Sequence, residues 1–495
     1  MNIGFDNDKY IKLQSDHIMD RAENMGGRLY LELGGKLFDD HHAARVLPGF
    51  LPDSKIRMLT AIRDRAEILF AVSADDIEKN KTRADTGFSY GDEVLRLASE
   101  FRKMGFKVSG AAITKYANQA GADRLRRKLD EADITSYLHY PIEGYPTNIP
   151  FIVSDEGYGK CEYFPATRPI VIVTAPGPGS GKMAVCLSQL YHEYKRGMRA
   201  GYSKFETFPV WNLPLRHPVN LAYEAATADL RDVNMIDPYH MEKYGKIAVN
   251  YNRDVEAFPL LADILEKISG ECPYSSPTDM GVNMAGFCIT DNDAVEAAAK
   301  AEIIRRYYTS LADSVEHPDN PALADIVYKE ELIMKQAELS PSDRLSAKYA
   351  REKAEATGGP AAAIEVDGHV ITGKTTPILG ASSAALLNAL KYLANIPDDV
   401  QLLSPAVLEP VMKLKVEQFG SKNPRLHTDE VLIVLSVCAV TDEIARSALN
   451  AVPLLRGSEA HLTVKPASVD RSTFKKLGLN FTYDPIRSQS TTMQR

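Results

Sequence analysis

The sequence has little cysteine and a single tryptophan: 5 cysteines and 1 tryptophan in 495 residues. The cysteine count is odd and no two cysteines have C-x-x-C spacing, which argues against structural zinc and for a reducing compartment. The N-terminal segment is polar and lacks the apolar core of a signal peptide. No apolar run reaches the ~20 residues that a membrane helix needs. These absences predict a cytoplasmic protein with no membrane partner.

Positive charge is not concentrated anywhere along the chain. The net charge is -8, and a solvated helix face explains the most basic short run, RLRRKL at residues 124–129. We therefore expect no nucleic-acid partner. The chain contains neither a G-x-S-x-G elbow nor an H-E-x-x-H motif, so a serine hydrolase and a zinc protease both lack their anchoring residues.

Short apolar strands alternate with helical patterns over about the first three hundred residues. The run RPIVIVTAP at 168–176 is uncharged after Arg168, as a strand buried on both faces should be. The spacing is typical of βαβ units, so we predict an α/β fold with a doubly wound, mostly parallel sheet. The predicted strands are 28–33, 66–72, 106–114, 134–140, 168–176, KFETFPVW at 204–211 and KIAVNY at 246–251.

The character of the sequence changes near Asp293, where three strongly helical segments begin. We predict an α/β region at 1–292 with sub-halves 1–150 and 151–292, a helical connector at 293–357, and a smaller α+β domain at 358–495. No repeat of fixed period is visible.

Two segments compete for the role of a phosphate-binding loop. GHVITGKT, from Gly368 to Thr375, matches the pattern G-x-x-x-x-G-K-[ST] formally. However, Asp367-Gly368 is a hairpin turn pair between two strand-like runs. We therefore predict that this segment is a hairpin and not a nucleotide loop.

The segment VIVTAPGPGSGKMAVCLSQL has the right context, because a buried strand, a glycine-rich turn and a helix follow one another. Pro176 replaces the first glycine of the pattern, and Met183 replaces the Ser/Thr that ligates Mg²⁺. Either a metal is held in another way, or the loop binds an anion without the usual metal geometry. The alternative is a tight turn with an exposed lysine. The predicted contacts to ATP or another phosphorylated ligand are Gly177, Gly179, Ser180, Gly181 and Lys182, with Mg²⁺ as a candidate ion.

Polar residues at two other strand ends are candidates for catalysis, because ligands of parallel sheets bind outside the carboxyl ends of the strands. Asp39 and His41 follow the first strand and are suited to proton transfer or metal binding. Arg253 and Asp254 follow KIAVNY and are suited to a phosphate and to a metal or helix cap. Asp39, His41, Lys182 and Arg253 should then line a common cavity. Their polar neighbours after the first strand are Lys36, Asp40, His42 and Arg45.

The run 171–212, VIVTAPGPGSGKMAVCLSQLYHEYKRGMRAGYSKFETFPVWN, resembles the start of a P-loop domain of the dethiobiotin-synthetase-like type. The whole chain resembles a long bacterial family known only as a numbered domain of unknown function. The stretches that carry this resemblance are GGKLFDDHHAARVLPGF, APGPGSGKMAVCLSQLYHE, SPTDMGVNMAGFCITD and TGKTTPILGASSAALLNALK. That family implies a fold but no activity.

Two function classes remain open. The first is a P-loop-type transferase or ligase that binds a nucleotide or phosphorylated metabolite for phosphoryl transfer or ATP-dependent ligation. The second is a non-catalytic ligand-sensing or assembly protein, with a homo-oligomer among its candidate forms. Met183 favours the second class, because phosphoryl transfer normally uses the Mg²⁺-binding hydroxyl. The polar loops at several strand ends favour the first.

Overall fold

The computed structural model describes residues 3–35, 37–83 and 86–485 and divides the chain into two compact units, 2–299 and 300–495. The boundary lies within a long helix, Asn292–Glu316. In the first unit the strands are β1 (Leu29–Leu33), β2 (Ala66–Ser73), β3 (Lys107–Thr114), β4 (Ser136–Leu138), β5 (Ile170–Thr174), β6 (Gly201–Phe205), β7 (Asn234–Ile236), β8 (Val249–Tyr251) and β9 (Gly281–Val282).

Seven of these strands form one parallel sheet in the order β4-β3-β2-β5-β1-β6-β9. The helices of this unit are α1 (Asn7–Asn24), α2 (His41–Val46), α3 (Ser54–Ala61), α4 (Ala74–Glu78), α5 (Tyr90–Lys103), α6 (Ala120–Glu131), α7 (Ile149–Ile152), α8 (Lys182–Lys195), α9 (Pro218–Ala226), α10 (Pro238–Tyr244), α11 (Asn252–Ser269) and α12 (Pro277–Met280). The predicted α/β class with a mostly parallel sheet is confirmed.

Both faces of the sheet are covered, because side chains of a strand alternate between two apolar cores. Leu29, Leu31 and Leu33 of β1 lie in the core that contains residues of α1, α3, α5 and α6. Tyr30 lies in the opposite core, with residues of α8 and α11. By the same alternation Glu32 belongs to the α8 face, although it is charged.

The sheet has a topological switch point between β5 and β1. The chain passes from β1 across β5 to β2 on one side, and from β5 across β1 to β6 on the other. Neighbouring strands whose connections leave in opposite directions open a crevice at their carboxyl ends, and ligands of doubly wound sheets bind in such crevices.

The second unit continues α13 (Asn292–Glu316) and contains α14 (Pro321–Gln336), α15 (Leu345–Thr357), α16 (Ala381–Leu393), α17 (Pro405–Lys413), α18 (Thr428–Cys438), α19 (Glu443–Asn450) and α20 (Ser468–Leu477). Its strands β10 (Ala361–Val366), β11 (His369–Lys374), β12 (Glu459–Leu462) and β13 (Asn480–Tyr483) form a mixed sheet in the order β11-β10-β12-β13. The predicted smaller α+β part is thus present.

The rival phosphate motif is part of an antiparallel hairpin, as predicted. Asp367 and Gly368 form the turn between β10 and β11, with φ angles of 49° and 80°. Gly373 is required because β11 lies directly on α16, where a Cβ would come within 2.1 Å of the Ala385 backbone nitrogen. Close packing on a helix therefore explains the glycine of this Gly-Lys-Thr sequence.

One strand prediction is wrong. KIAVNY contributes β8, which pairs antiparallel with β7 in a separate two-stranded sheet and not with the parallel sheet. Its composition is that of a strand, but composition does not specify the pairing partner. In addition, β6 ends at Phe205, so most of KFETFPVW follows the strand. No helix in the described residues combines the length and apolarity that crossing a membrane requires.

Candidate ligand site at the carboxyl edge of the sheet

The loop 177–182 joins β5 to α8, as predicted from the sequence. Gly181 is the N-cap of α8 and adopts a left-handed conformation with φ 83°, which favours glycine. Gly179 is exposed and also has positive φ, whereas Gly177 lies against the ring of Tyr90. The glycines thus fold the chain from the strand directly into the helix.

The loop is held in place by two hydroxyl groups. Ser180 is fully buried and donates a hydrogen bond of 2.7 Å to the carbonyl of Gly177. Thr114, the last residue of β3, donates one of 2.8 Å to the carbonyl of Ser180. Because the Ser180 hydroxyl donates within the loop, Ser180 shapes the loop rather than presenting a donor to solvent.

The N-terminus of α8 offers backbone donors. Within the described residues no side chain caps this end of the helix, and its first turn contains no acidic residue. The first N–H groups of a helix have no partner inside the helix, and its dipole attracts negative charge there. Lys182 is the first helical residue, and its Nζ lies 3.8 Å from Oε1 of Glu32.

Lys182 and Glu32 begin a group of five charged side chains that we call the charged row. Glu32 of β1 and Lys204 of β6 are register partners. The Lys204 ammonium lies 2.6 and 2.5 Å from the two oxygens of Asp254, at the start of α11, and 3.1 Å from Oε1 of Glu206. The row consists of Lys182, Glu32, Lys204, Glu206 and Asp254.

Burial and neighbouring charges shift the pKa values of Glu206 and Lys204 in the charged row. Burial, followed by repulsion from Asp254, raises the pKa of Glu206 to about 7, although the nearby Lys204 acts in the opposite direction. Burial alone would lower the pKa of Lys204, but the charges of Asp254, Glu206 and Glu32 outweigh it and raise that pKa. Lys204 therefore stays protonated at neutral pH, whereas Glu206 titrates near it.

A tyrosine fixes the carboxylate in the middle of the row. Tyr202 is buried two residues before Lys204, and its hydroxyl donates a hydrogen bond of 2.8 Å to Oε2 of Glu32. The other oxygen of Glu32 is the one nearest Lys182. Glu32 thus has a fixed orientation towards the start of α8.

The residues proposed from sequence as catalytic have different surroundings. Asp254 is in the charged row, whereas Arg253 points to Asp232 at 2.6 Å and its side chain is 60% exposed. Asp39 is exposed and lines a cavity of about 50 Å³ that also touches Arg83, Arg96 and Ala175, at the end of β5. His41 is the exposed first residue of α2.

The neighbours of Asp39 and His41 have structural contacts. Asp40 caps α2 and pairs with Lys55 at 2.7 Å. His42 packs against the rings of Phe208 and Tyr223. Lys36 lies outside the described residues. In the part of the chain that the structure describes, no three His, Cys, Asp or Glu side chains are grouped as a metal site requires.

Glu32, Lys204 and Glu206 were not among the site residues predicted from the sequence, although a signal was present. All three are charged residues within or directly after strands of a sheet that is covered on both faces, where charges are costly. In KFE, Lys204 and Glu206 are two residues apart and therefore point to the same face. Two charged residues that are two positions apart at the end of a buried strand, such as Lys204 and Glu206, are the pattern that could have identified the row.

Comparisons with known proteins cover nearly the whole chain. Residues 3–338 match the family model "Domain of unknown function DUF1846, N-terminal", and residues 342–492 match its C-terminal counterpart. The chain is 51% identical over 486 residues to a UPF0371 protein of Streptococcus uberis, with 98% of each chain covered. It is also 51% identical over 482 residues to UPF0371 proteins of Streptococcus thermophilus and Streptococcus pneumoniae, with 97% of each chain covered.

Proposed function

The chain belongs to the DUF1846 family of unknown function, and from its geometry we propose that it binds a phosphorylated small molecule at the loop 177–182. The observation that carries this proposal is the N-terminus of α8 at the switch point between β5 and β1, where Lys182 is the first helical residue and no described side chain caps the backbone N–H groups. Backbone N–H groups, a helix dipole and a lysine at one place form an anion site.

The position of Lys182 suits reversible binding of a ligand. Its distance of 3.8 Å from Glu32 is longer than a hydrogen bond, so the ammonium retains donors for a phosphate oxygen. Glu32 still attracts the ammonium and keeps it at the mouth of the loop. The side chain of Lys182 is only 13% exposed, which limits competition from water for the same donors.

A nucleotide such as ATP or another phosphorylated metabolite fits this arrangement. The charged row, which contains a carboxyl group that titrates near pH 7, supports turnover such as phosphoryl transfer or ligation. A second candidate function, sensing of the ligand without turnover, is favoured by Met183. This side chain packs against the apolar core of the α8 face, at the position where phosphoryl-transfer enzymes of the P-loop type use a hydroxyl.

Calorimetry with ATP, ADP and inorganic phosphate tests the proposal. Lys182→Ala should weaken binding about tenfold to a hundredfold, because a charge-assisted hydrogen bond contributes roughly 1.5–3 kcal/mol. Lys195→Ala is the matched control, since Lys195 is at the other end of α8 and pairs with Asp155. The control should bind like the parent, and melting curves should show that both variants are folded.

Two results would remove this assignment. One is a parent protein that binds none of the three probes. The other is equal affinity in the parent and the Lys182→Ala variant.

A further inference from the structure

Two carboxyl groups share one ammonium at the carboxyl end of β6. Lys204 contacts both oxygens of Asp254 and one oxygen of Glu206. The side chain of Glu206 is 6% exposed, whereas those of Lys204 and Asp254 are 28% and 20% exposed. Glu206 is therefore buried, whereas its neighbours Lys204 and Asp254 are partly exposed at the carboxyl edge of the sheet.

One cation does not balance two adjacent carboxylates in a buried position. Oε2 of Glu206 is buried and receives no hydrogen bond from a described residue. The charge of Asp254, held against the same ammonium, raises the pKa of Glu206, so a proton on Glu206 relieves the repulsion between the two carboxyl groups. The hydroxyls of Tyr223 and Tyr251 also interact with Glu206, and burial raises the pKa of both, so they stay neutral and protonated at physiological pH.

The charged row has no net charge when Glu206 is protonated. Lys182 and Lys204 contribute two positive charges, and Glu32 and Asp254 contribute two negative charges. With Glu206 protonated the row is neutral, and with Glu206 ionised it carries one surplus negative charge. Two carboxylates held against one ammonium repel each other, which is the physical basis of paired carboxyls in proton transfer.

We propose that Glu206 and Asp254 are an acid–base pair that holds one exchangeable proton beside Lys204 and exchanges it with the ligand bound at the loop 177–182. This inference rests on the proposed function. Ionised Glu206 takes a proton from an O–H or N–H group of the ligand. The electron pair of the broken bond stays on the ligand oxygen or nitrogen, and the new O–H bond of Glu206 later returns the proton to the product.

The spacing of the sheet sets the size of the ligand. Loop 177–182 follows β5, and Glu206 follows β6, with β1 between them. Two strand spacings are roughly 9–10 Å. Because Lys182 already reaches Glu32 of β1, this spacing is an upper limit, and the ligand class is a phosphorylated compound with a hydroxyl or amino group at most that far from the phosphate.

The first experiment needs no ligand. Carboxyl ¹³C NMR of protein labelled at the glutamate side chains is recorded from pH 4 to 9 for the parent and for Glu206→Gln, and the resonance lost in the variant is that of Glu206. We expect its midpoint near 7, and a lower midpoint in Asp254→Asn. Glu193→Gln is the control, because Glu193 is a buried carboxylate with its own partners Arg28 and Tyr30. A Glu206 midpoint near that of ordinary glutamates would overturn the acid–base pair.

The second experiment connects the pair to the ligand. Calorimetry of ATP, ADP and inorganic phosphate binding at pH 7, in buffers with different ionisation enthalpies, counts the protons exchanged on binding. The phosphate groups of the probes also titrate near pH 7, so the diagnostic quantity is the difference in exchanged protons between the parent and the variants. We expect Glu193→Gln to match the parent and Glu206→Gln to differ from it by a fraction of a proton. Equal proton exchange in the parent and Glu206→Gln would overturn the proposed exchange while leaving the phosphate site intact. Absence of any binding would instead contradict the proposed function, and the NMR titration alone would then decide the acid–base pair.

Discussion

At the scale of single residues, Glu206 connects protonation to stability. Its pKa is raised from 4.5 to about 7 in the folded chain, mainly by burial. Between these values the unfolded chain is ionised while the folded chain keeps its proton. The contribution of Glu206 to stability is therefore present below pH 4.5 and is lost as the pH rises to about 7.

Glu206→Gln should remove this pH dependence, because glutamine is neutral at every pH. The unfolding free energy of the variant, minus that of the parent, should increase between pH 5 and pH 8 by at most roughly 3 kcal/mol. Urea unfolding at both pH values measures the difference. An offset that is the same at pH 5 and pH 8 would mean that Glu206 ionises normally.

Gly373 is the residue that distinguishes packing from phosphate binding in the rival motif. Gly373→Ala should lower the unfolding free energy by about 1–3 kcal/mol, because the added methyl group meets the backbone of α16. Gly368→Ala is the control: its Cβ would meet nothing within 4 Å, and only its positive φ costs about 1–2 kcal/mol. Neither variant should change phosphate affinity in calorimetry. A loss of affinity in Gly373→Ala would indicate that the β10–β11 hairpin binds phosphate.

At the scale of elements, strand β3 supports the loop 177–182 through Thr114. Thr114→Val keeps the shape of the side chain but removes the hydrogen bond to the Ser180 carbonyl, which should cost about 1 kcal/mol of stability. Because the loop is then less well ordered, phosphate should bind several-fold more weakly. Thr60→Val, which removes a hydrogen bond inside α3, is the control and should leave binding unchanged. Unaltered affinity in Thr114→Val would show that the loop keeps its shape without β3.

The elements show what could be predicted from the sequence. The hydrophobic run before Gly177 and the helix after Lys182 are local patterns, and they gave the strand–loop–helix unit correctly. Pairing is not local: β8 has the composition of a strand but joins β7, and only the register of β1 and β6 brings Glu32 beside Lys204. Lys182 and Asp254 were predicted but the row as a whole was not, because its members come from β1, from the end of β6 and from two helices, which are separate in the sequence.

The different surroundings of Arg253 and Asp254 also could not be predicted from local sequence. Both residues stand at the start of α11, and the sequence suggested a role for each. Adjacent residues of a helix point about 100° apart. Asp254 therefore faces Lys204, whereas Arg253 faces Asp232. Sequence proximity therefore could not decide which of the two enters the charged row.

At the scale of the whole molecule, no disulfide links any part of the chain. All 5 cysteines are free, and Cys161, Cys186, Cys288 and Cys438 are buried, whereas Cys272 is partly exposed. The folded state therefore depends on the apolar cores and on the hydrogen bonds of the helices and the three sheets.

This arrangement predicts how the thiols react. A thiol reagent should label about one cysteine in the folded protein, Cys272, and all 5 after unfolding in urea. Labelling of Cys272 should be slow, because burial raises its pKa and thiolate is the reactive form. Cys272→Ser should reduce the folded-state count to about zero, and the melting temperature of the parent should be the same with and without reductant. A melting temperature that falls on adding reductant, or fast labelling of several thiols before unfolding, would contradict the buried, unlinked positions of the other four cysteines.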